Sequence, residues 1–236
     1  MRRLLTFAVI LVSLSLYGQK KIVWFDIGAK AQYGAAGLYN QALADSPDYG
    51  YRIGTGLSYG GKLGINFGYN GLAIDVMKSK ANQSFDRTLT TVEWESLDIY
   101  ALFRNAKNLG YFEIGPKMSM ISRVASGGSE SNLTDRPETN YNKNLFAGVL
   151  GFGANIMGND GRFSGILGLR FEYAFSDLDT DEGKALNAPV YGTSNVYADG
   201  KKSSNIAFAG VVFELNWGIG YFGKAQCGGR SKFIMF

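Results

Sequence analysis

Residues 57–77 read LSYGGKLGINFGYNGLAIDVM, and their alternation decides the fold. Leu57, Tyr59, Leu63, Ile65, Phe67 and Tyr69 share one phase, while Lys62, Gly64, Asn66 and Gly68 share the other. A period of two is the strand period, because successive side chains point to opposite faces. Asn70-Gly71 follows, a dipeptide favoured in two-residue hairpin loops, and predicts the turn. Beyond it Leu72, Ile74 and Val76 oppose Ala73, Asp75 and Met77, which makes a hairpin with one oily and one polar face.

The same pattern extends both ways. Upstream, Val23, Phe25, Ile27, Ala29, Ala31 and Tyr33 oppose Trp24, Asp26, Gly28, Lys30 and Gln32. Downstream, Leu97, Ile99, Ala101 and Phe103 oppose Asp98, Tyr100, Leu102 and Arg104. Phe112, Ile114, Met118 and Met120 oppose Tyr111, Glu113, Gly115, Lys117 and Ser119. Phe146, Leu150, Phe152 and Ile156 mark a sixth apolar face. Leu167, Leu169, Phe171, Tyr173 and Phe175 oppose Gly168, Arg170, Glu172 and Ala174. Val211, Phe213, Leu215, Trp217, Ile219 and Tyr221 oppose Glu214, Asn216, Gly218 and Gly220. These segments predict eight strands. Pro116 cannot donate to a ladder, so a bulge is expected there.

Long polar connections over 36–52, 79–91, 124–143 and 176–204 alternate with short turns near 70–71, 105–110 and 158–161. That alternation predicts an all-β fold, an eight-stranded antiparallel up-and-down transmembrane barrel with both termini on the short-turn side. A soluble barrel would hide its oily face around a ligand, and charge placement argues against it. The oily faces carry no charge, whereas the other faces collect Asp26, Lys30, Lys62, Asp75, Asp98, Glu113, Lys117, Arg170, Glu172 and Glu214. Arg104 and Arg123 continue that phase near strand ends. An eight-stranded barrel is just wide enough to be filled by side chains, so small glycines beside long acids and bases predict a closed ion-pair lumen. Tyr33, Tyr59, Tyr69, Phe103, Phe112, Tyr173, Phe175, Trp217 and Tyr221 are candidates for interfacial aromatic girdles.

Residues 1–19 have the build of a secretory leader: Arg2 and Arg3, an apolar run from Leu4 to Leu16, and Gly18 near the cut. The expected organisation is leader 1–19, barrel 20–222 and periplasmic tail 223–236. The 236 residues include no His and one Cys, which excludes His-dependent nucleophile pairs, His-ligated zinc and an internal disulfide. With 24 Lys+Arg against 20 Asp+Glu, the net charge of +4 is too small to argue for nucleic acid.

The leader, the alternating strands and the aromatic final strand FELNWGIGYF (213–222) resemble the small outer-membrane β-barrels of Gram-negative bacteria, and Tyr17-Gly18-Gln19 is similar to leader ends of the Bacteroidota branch. The resemblance implies outer-membrane lipid around the barrel and recognition by the barrel-assembly machinery through Phe213, Leu215, Trp217, Tyr221 and Phe222. The chain continues to Phe236, so Phe222 and Phe236 compete as the terminal aromatic. Enzymes of the small-barrel type depend on a His, and none of their activities carries over. No enzymatic activity, cofactor or nucleic-acid partner is expected.

Asp177, Asp179 and Asp181 alternate before Gly183, resembling part of a calcium loop, but Ala188 stands where the twelfth-position Glu belongs. A solvated acidic loop is the preferred reading. Cys227 lies in the tail as a free thiol or a partner's disulfide half. The expected role is therefore a monomeric, plugged barrel acting through external loops that hold Tyr39, Tyr49, Tyr51, Tyr141, Tyr191 and Tyr197, or as accessory subunit of an envelope complex through the tail. The alternative is a narrow channel or carrier for small solutes.

Overall fold

The structure is a computed structural model and describes residues 23–45, 48–107, 110–128, 132–158, 163–191 and 202–220. The leader expected over 1–19, Tyr197, Tyr221, Phe222, the expected tail 223–236 and Cys227 lie outside the described residues.

Eight long strands form one antiparallel ring: β1 (Val23–Tyr39), β2 (Gly54–Phe67), β3 (Asn70–Phe85), β4 (Thr90–Lys107), β5 (Gly110–Gly127), β6 (Asn144–Met157), β7 (Phe163–Ala174) and β8 (Asn205–Gly220). Each pairs with the next, and β1 closes the ring on β8 from Trp24↔Gly220 to Tyr39↔Asn205. Closure leaves no edge strand in the ring. The short pieces Tyr51–Arg52 and Thr134–Asp135 add a rung to β3 and β5 above the ring.

Several boundaries differ from expectation. The first hairpin turns at Gly68-Tyr69, with Phe67 paired to Asn70, so Asn70-Gly71 already belongs to β3. Gly68 takes φ +69 and Tyr69 does not go positive, the pattern of a hairpin with glycine at its first central position. The segment 79–91 is not a long loop. Strands β3 and β4 continue through it to a four-residue turn, 86–89. Pro116 stays in register with Gly148 and causes no bulge. The β4–β5 register shifts instead beside Glu95 and Ser96, where Ser122 is the extra residue, and a second shift at Asn155/Met157 leaves Ile156 extra. The bulge at Ser122 reverses the phase of β5, which turns Arg123 outward although its sequence phase pointed in. Arg123 meets Asp135 at 2.7 Å and Glu93 at 3.0 Å on the outer wall.

The oily faces point outward. Phe25, Leu63, Ile74, Phe103, Ile114, Leu150, Leu169 and Val211 all stand exposed around the ring. A belt of this extent is far larger than the apolar patches of soluble monomers and matches the lipid face of a membrane barrel. Trp217 and Phe163 meet edge-to-face at the turn end, and Tyr173 and Phe175 do so at the loop end. Tyr33 and Tyr59 stand in the interior of their strands instead of at an end.

At the loop end the polarity inverts. Along β4 the outward residues run Phe103, Ala101, Ile99, Leu97 and then Glu95 and Glu93, while the inward ones run Asp98, Ser96 and then Trp94 and Val92. Lys78 and Lys80 mark the same change on β3, and Lys80 pairs with Glu93 at 2.9 Å. Oily outside and ionic inside suits lipid; charged outside and oily inside suits water. The change of sign therefore marks where these strands leave the bilayer.

Candidate functional site: the ionic lumen and its loop cap

The inward positions of eight tilted strands converge on one narrow space, and long side chains are needed to fill it. Lys30 meets Asp75 at 2.6 Å and Glu214 at 2.9 Å. Arg170 meets Asp75 at 3.2 Å and Glu113 at 2.6 Å. Arg104 meets Glu113 at 2.6 Å and Glu214 at 2.7 Å. These contacts form a closed cycle: Glu214, Lys30, Asp75, Arg170, Glu113, Arg104 and back to Glu214. Lys62 hangs from it, joining Glu214 and Asp26 at 2.8 Å each. Toward the loops, Lys117 bridges Asp98 at 2.8 Å and Glu172 at 2.6 Å. Gln32 links the two groups, donating to Glu172 at 3.0 Å and accepting from Arg170 at 3.3 Å.

All ten lumen positions expected from the alternation stand in this network. Arg104, expected in the same phase but near a strand end, is one of its central members. Its phase with Asp98 and Tyr100 was the available signal, but strand length was not legible: β4 runs on to Lys107. Tyr100, also in the polar phase, donates its hydroxyl to Glu172 at 3.1 Å and carries Arg170 over its ring at 4.9 Å.

The glycines make room for the long side chains. A Cβ on Gly64 would lie 1.8 Å from Asp26 Oδ1, and one on Gly151 would lie 2.7 Å from Glu113. Burying an ion costs several kcal/mol unless it is paired, and a ring of alternating signs gives each member an opposite charge on both sides, although Asp75 Oδ1 meets no hydrogen-bond partner among the described residues.

Above the ions lies an apolar cluster. Leu38, Phe85, Val92, Trp94, Ile121, Leu145 and Phe208 from the strands meet Leu43, Tyr141, Leu178 and Val190 from the loops. The loop tyrosines mostly turn inward, against the expectation that they face a partner. Tyr141 is buried, and Tyr51 donates to the Leu38 carbonyl at 2.9 Å while packing edge-on to Phe85. Apolar strand tops extending past the membrane need cover, and these rings supply it.

The acidic run does not gather around a point. Asp177 accepts from the amides of Asp179 (3.1 Å) and Ser204 (2.9 Å) and pairs with Lys184. Asp181 is exposed in the first turn of the short helix Asp181–Ala185, and Thr180 caps that helix by accepting from the Gly183 amide. Asp179 is buried. Among the described residues no three acidic side chains are grouped to hold a metal ion. Of the proposed assembly-signal residues, Phe213, Leu215 and Trp217 lie on the outward phase of β8.

Ladder and polarity together define the class: an eight-stranded antiparallel up-and-down β-barrel, oily outside and ionic within. No protein-family model matches the sequence, and no curated protein matches it. The solved structures similar to it include two Neisserial barrels. The crystal structure of Neisserial surface protein A has a TM-score of 0.44 at 10% identity, covering 82% of this chain and 96% of that one. The translocator domain of the autotransporter NalP from Neisseria meningitidis has a TM-score of 0.32 at 10% identity, covering 93% and 96%. At those scores the fold assignment rests on the closed ladder. Nothing in these likenesses supports the Bacteroidota resemblance read from Tyr17-Gly18-Gln19.

Proposed function

We propose that this chain is a non-enzymatic outer-membrane β-barrel of a Gram-negative envelope, with a plugged lumen and a folded loop cap as its working surface. The observation that carries the reading is the ion-pair cycle across the barrel, with the apolar cluster stacked above it. A solute passing through would have to break several buried pairs, each costing about 3–5 kcal/mol when one partner is lost. Such a lumen suits a scaffold. Contact with other envelope components then falls to the exterior of the cap or, in an accessory-subunit role, to the tail 223–236. The orientation that goes with it has the leader removed, the termini periplasmic and the cap outside, after insertion by the barrel-assembly machinery.

Planar-bilayer recording of the purified mature protein tests the plug. The expected record is a flat baseline, and it stays flat when Glu172 is replaced by Gln. Stable openings that change with Arg170 or Glu172 substitution would instead make the protein a narrow channel. Affinity capture with and without residues 223–236 tests the accessory role: an unchanged partner set removes the tail from it.

A further inference from the structure

The cap is fastened at one knot, the segment 177–180. From the preceding loop, Asn142 donates its amide N–H to the Leu178 carbonyl at 2.7 Å and its side-chain nitrogen to the Asp177 carbonyl at 3.0 Å. The Thr180 amide donates to the Asn140 carbonyl at 3.2 Å, and Tyr141 bridges Asp179. From the returning limb of its own loop, Ser204 accepts from the Leu178 amide at 2.9 Å through its carbonyl. From the first loop, Asn40 donates to Ser204 Oγ at 3.1 Å. Three loops therefore meet where Asp179 is buried, with 4% of its surface exposed. Among the described residues its Oδ2 meets no hydrogen-bond partner.

We propose that Asp179 is a protonation switch of the cap: the three loops are fastened while its carboxyl carries a proton and loosen when it is ionised. A neutral carboxyl tolerates a dry site; an ionised one with an unmet oxygen does not. The charged and titratable groups around it do not supply a dedicated counter-ion. On its own loop lie Asp177 and the Lys184 that Asp177 engages. Tyr191 interacts with it electrostatically and has the Arg136 guanidinium 4.3 Å from its ring, and Tyr141, from the preceding loop, pairs with it through the backbone. Glu138 and Lys143 pair with each other at the surface. Asn40, from the first loop, carries no charge.

Burial, with Asp177 beside it, pushes the carboxyl up to about 7, against the opposing pull of Ser204 and Lys184. An unfolded or opened loop would return it to the ordinary carboxylate range. A carboxyl whose closed-state value is raised favours closure below that ordinary range, and loses the advantage as pH climbs to about 7. Closure is thus favoured in mild acid and weakened at neutral and alkaline pH.

Trp94 sits in the apolar cluster that touches Leu178, and it reports the opening. The experiment uses the full mature chain folded in detergent, with Trp24 and Trp217 replaced by Phe so that Trp94 is the remaining tryptophan. Acrylamide quenching is followed from about pH 5 to about pH 9. The expected result is a several-fold rise in quenching with a midpoint near 7, and a low, flat profile in Asp179→Asn. Lys184→Met, which removes the opposing cation, moves the midpoint upward and supplies a second test should Asp179→Asn fold poorly. A flat profile in the parent, the same rise in Asp179→Asn, or an unmoved midpoint in Lys184→Met would each overturn the switch.

Discussion

Arg104 on β4 and Glu214 on β8 stand on opposite walls of the barrel, yet their side chains meet at 2.7 Å. Arg170 on β7 and Asp75 on β3 are likewise opposite and meet at 3.2 Å. Two ion pairs thus cross the centre of the ring, and Glu113 and Lys30 tie their ends together. A lumen crossed twice in this way is a strut. Its members are stable only as a set.

Arg104→Met would leave Glu113 and Glu214 short of a counter-charge in a dry interior. The expected loss is about 3–5 kcal/mol of folding stability, read from urea unfolding of the protein in lipid vesicles. Adding Glu214→Gln to Arg104→Met should cost less than the sum of the two single changes, because one neutralised partner relieves the other. Additive losses would mean the pair is not coupled.

The lipid-facing reading separates two exposed positions on one strand. Ile74→Arg places a cation in the middle of the oily belt and should cost about 2–4 kcal/mol. Lys80→Gln removes a mostly exposed cation above the change of polarity, leaving its partner Glu93 still paired with Arg123, and should cost no more than about 1 kcal/mol. Equal effects of the two changes in vesicle unfolding would place the bilayer elsewhere.

Gly64→Ala would put a methyl group on Asp26 Oδ1, and Asp26 cannot retreat without releasing Lys62 at 2.8 Å. Overpacking of this kind costs about 1–3 kcal/mol. Gly61→Ala points outward, with the nearest atom 3.7 Å away, and should be tolerated. Comparing the two midpoints distinguishes a steric demand of the lumen from a general demand for glycine in β2.

Gly68→Ala meets nothing within 4 Å, so its cost comes from the backbone alone. Holding a residue with a Cβ at φ +69 costs about 1–2 kcal/mol. Gly68→Asn should recover part of the loss, because Asn tolerates that conformation better. A smaller effect for Ala than for Asn would refute the turn assignment.

Periodicity made the strands legible because it is local: Leu57 and Leu63 reveal their shared face without reference to any other strand. Turn chemistry was less legible. Asn70-Gly71 is a favoured hairpin dipeptide, but Gly68 supplied the positive φ first, and a turn shifted this way keeps every residue of β3 on its expected face. The end of β3 was missed because Lys78, Lys80, Asn82 and Ser84 read as a polar loop. They are the outward residues of a strand that has left the bilayer, and there the rule relating polarity to face is reversed. Arg123 was misplaced for a different reason. A one-residue bulge at Ser122 flips every later side chain, and nothing in the residue types announces it.

Alternation, taken with the charge-free oily faces and the long and short connections, predicts a barrel and most of the side chains that turn toward its axis, since a strand exposes its two faces to two different solvents. Which acid answers which base was settled only when the ring closed. Arg104 and Glu214 are separated by 110 residues, and their meeting depends on the order and register of every strand between them. The cap belongs to the same category. Asn40, Tyr141, Asp179 and Ser204 come from distant stretches of chain, and only the geometry of the ring brings their loops over one mouth.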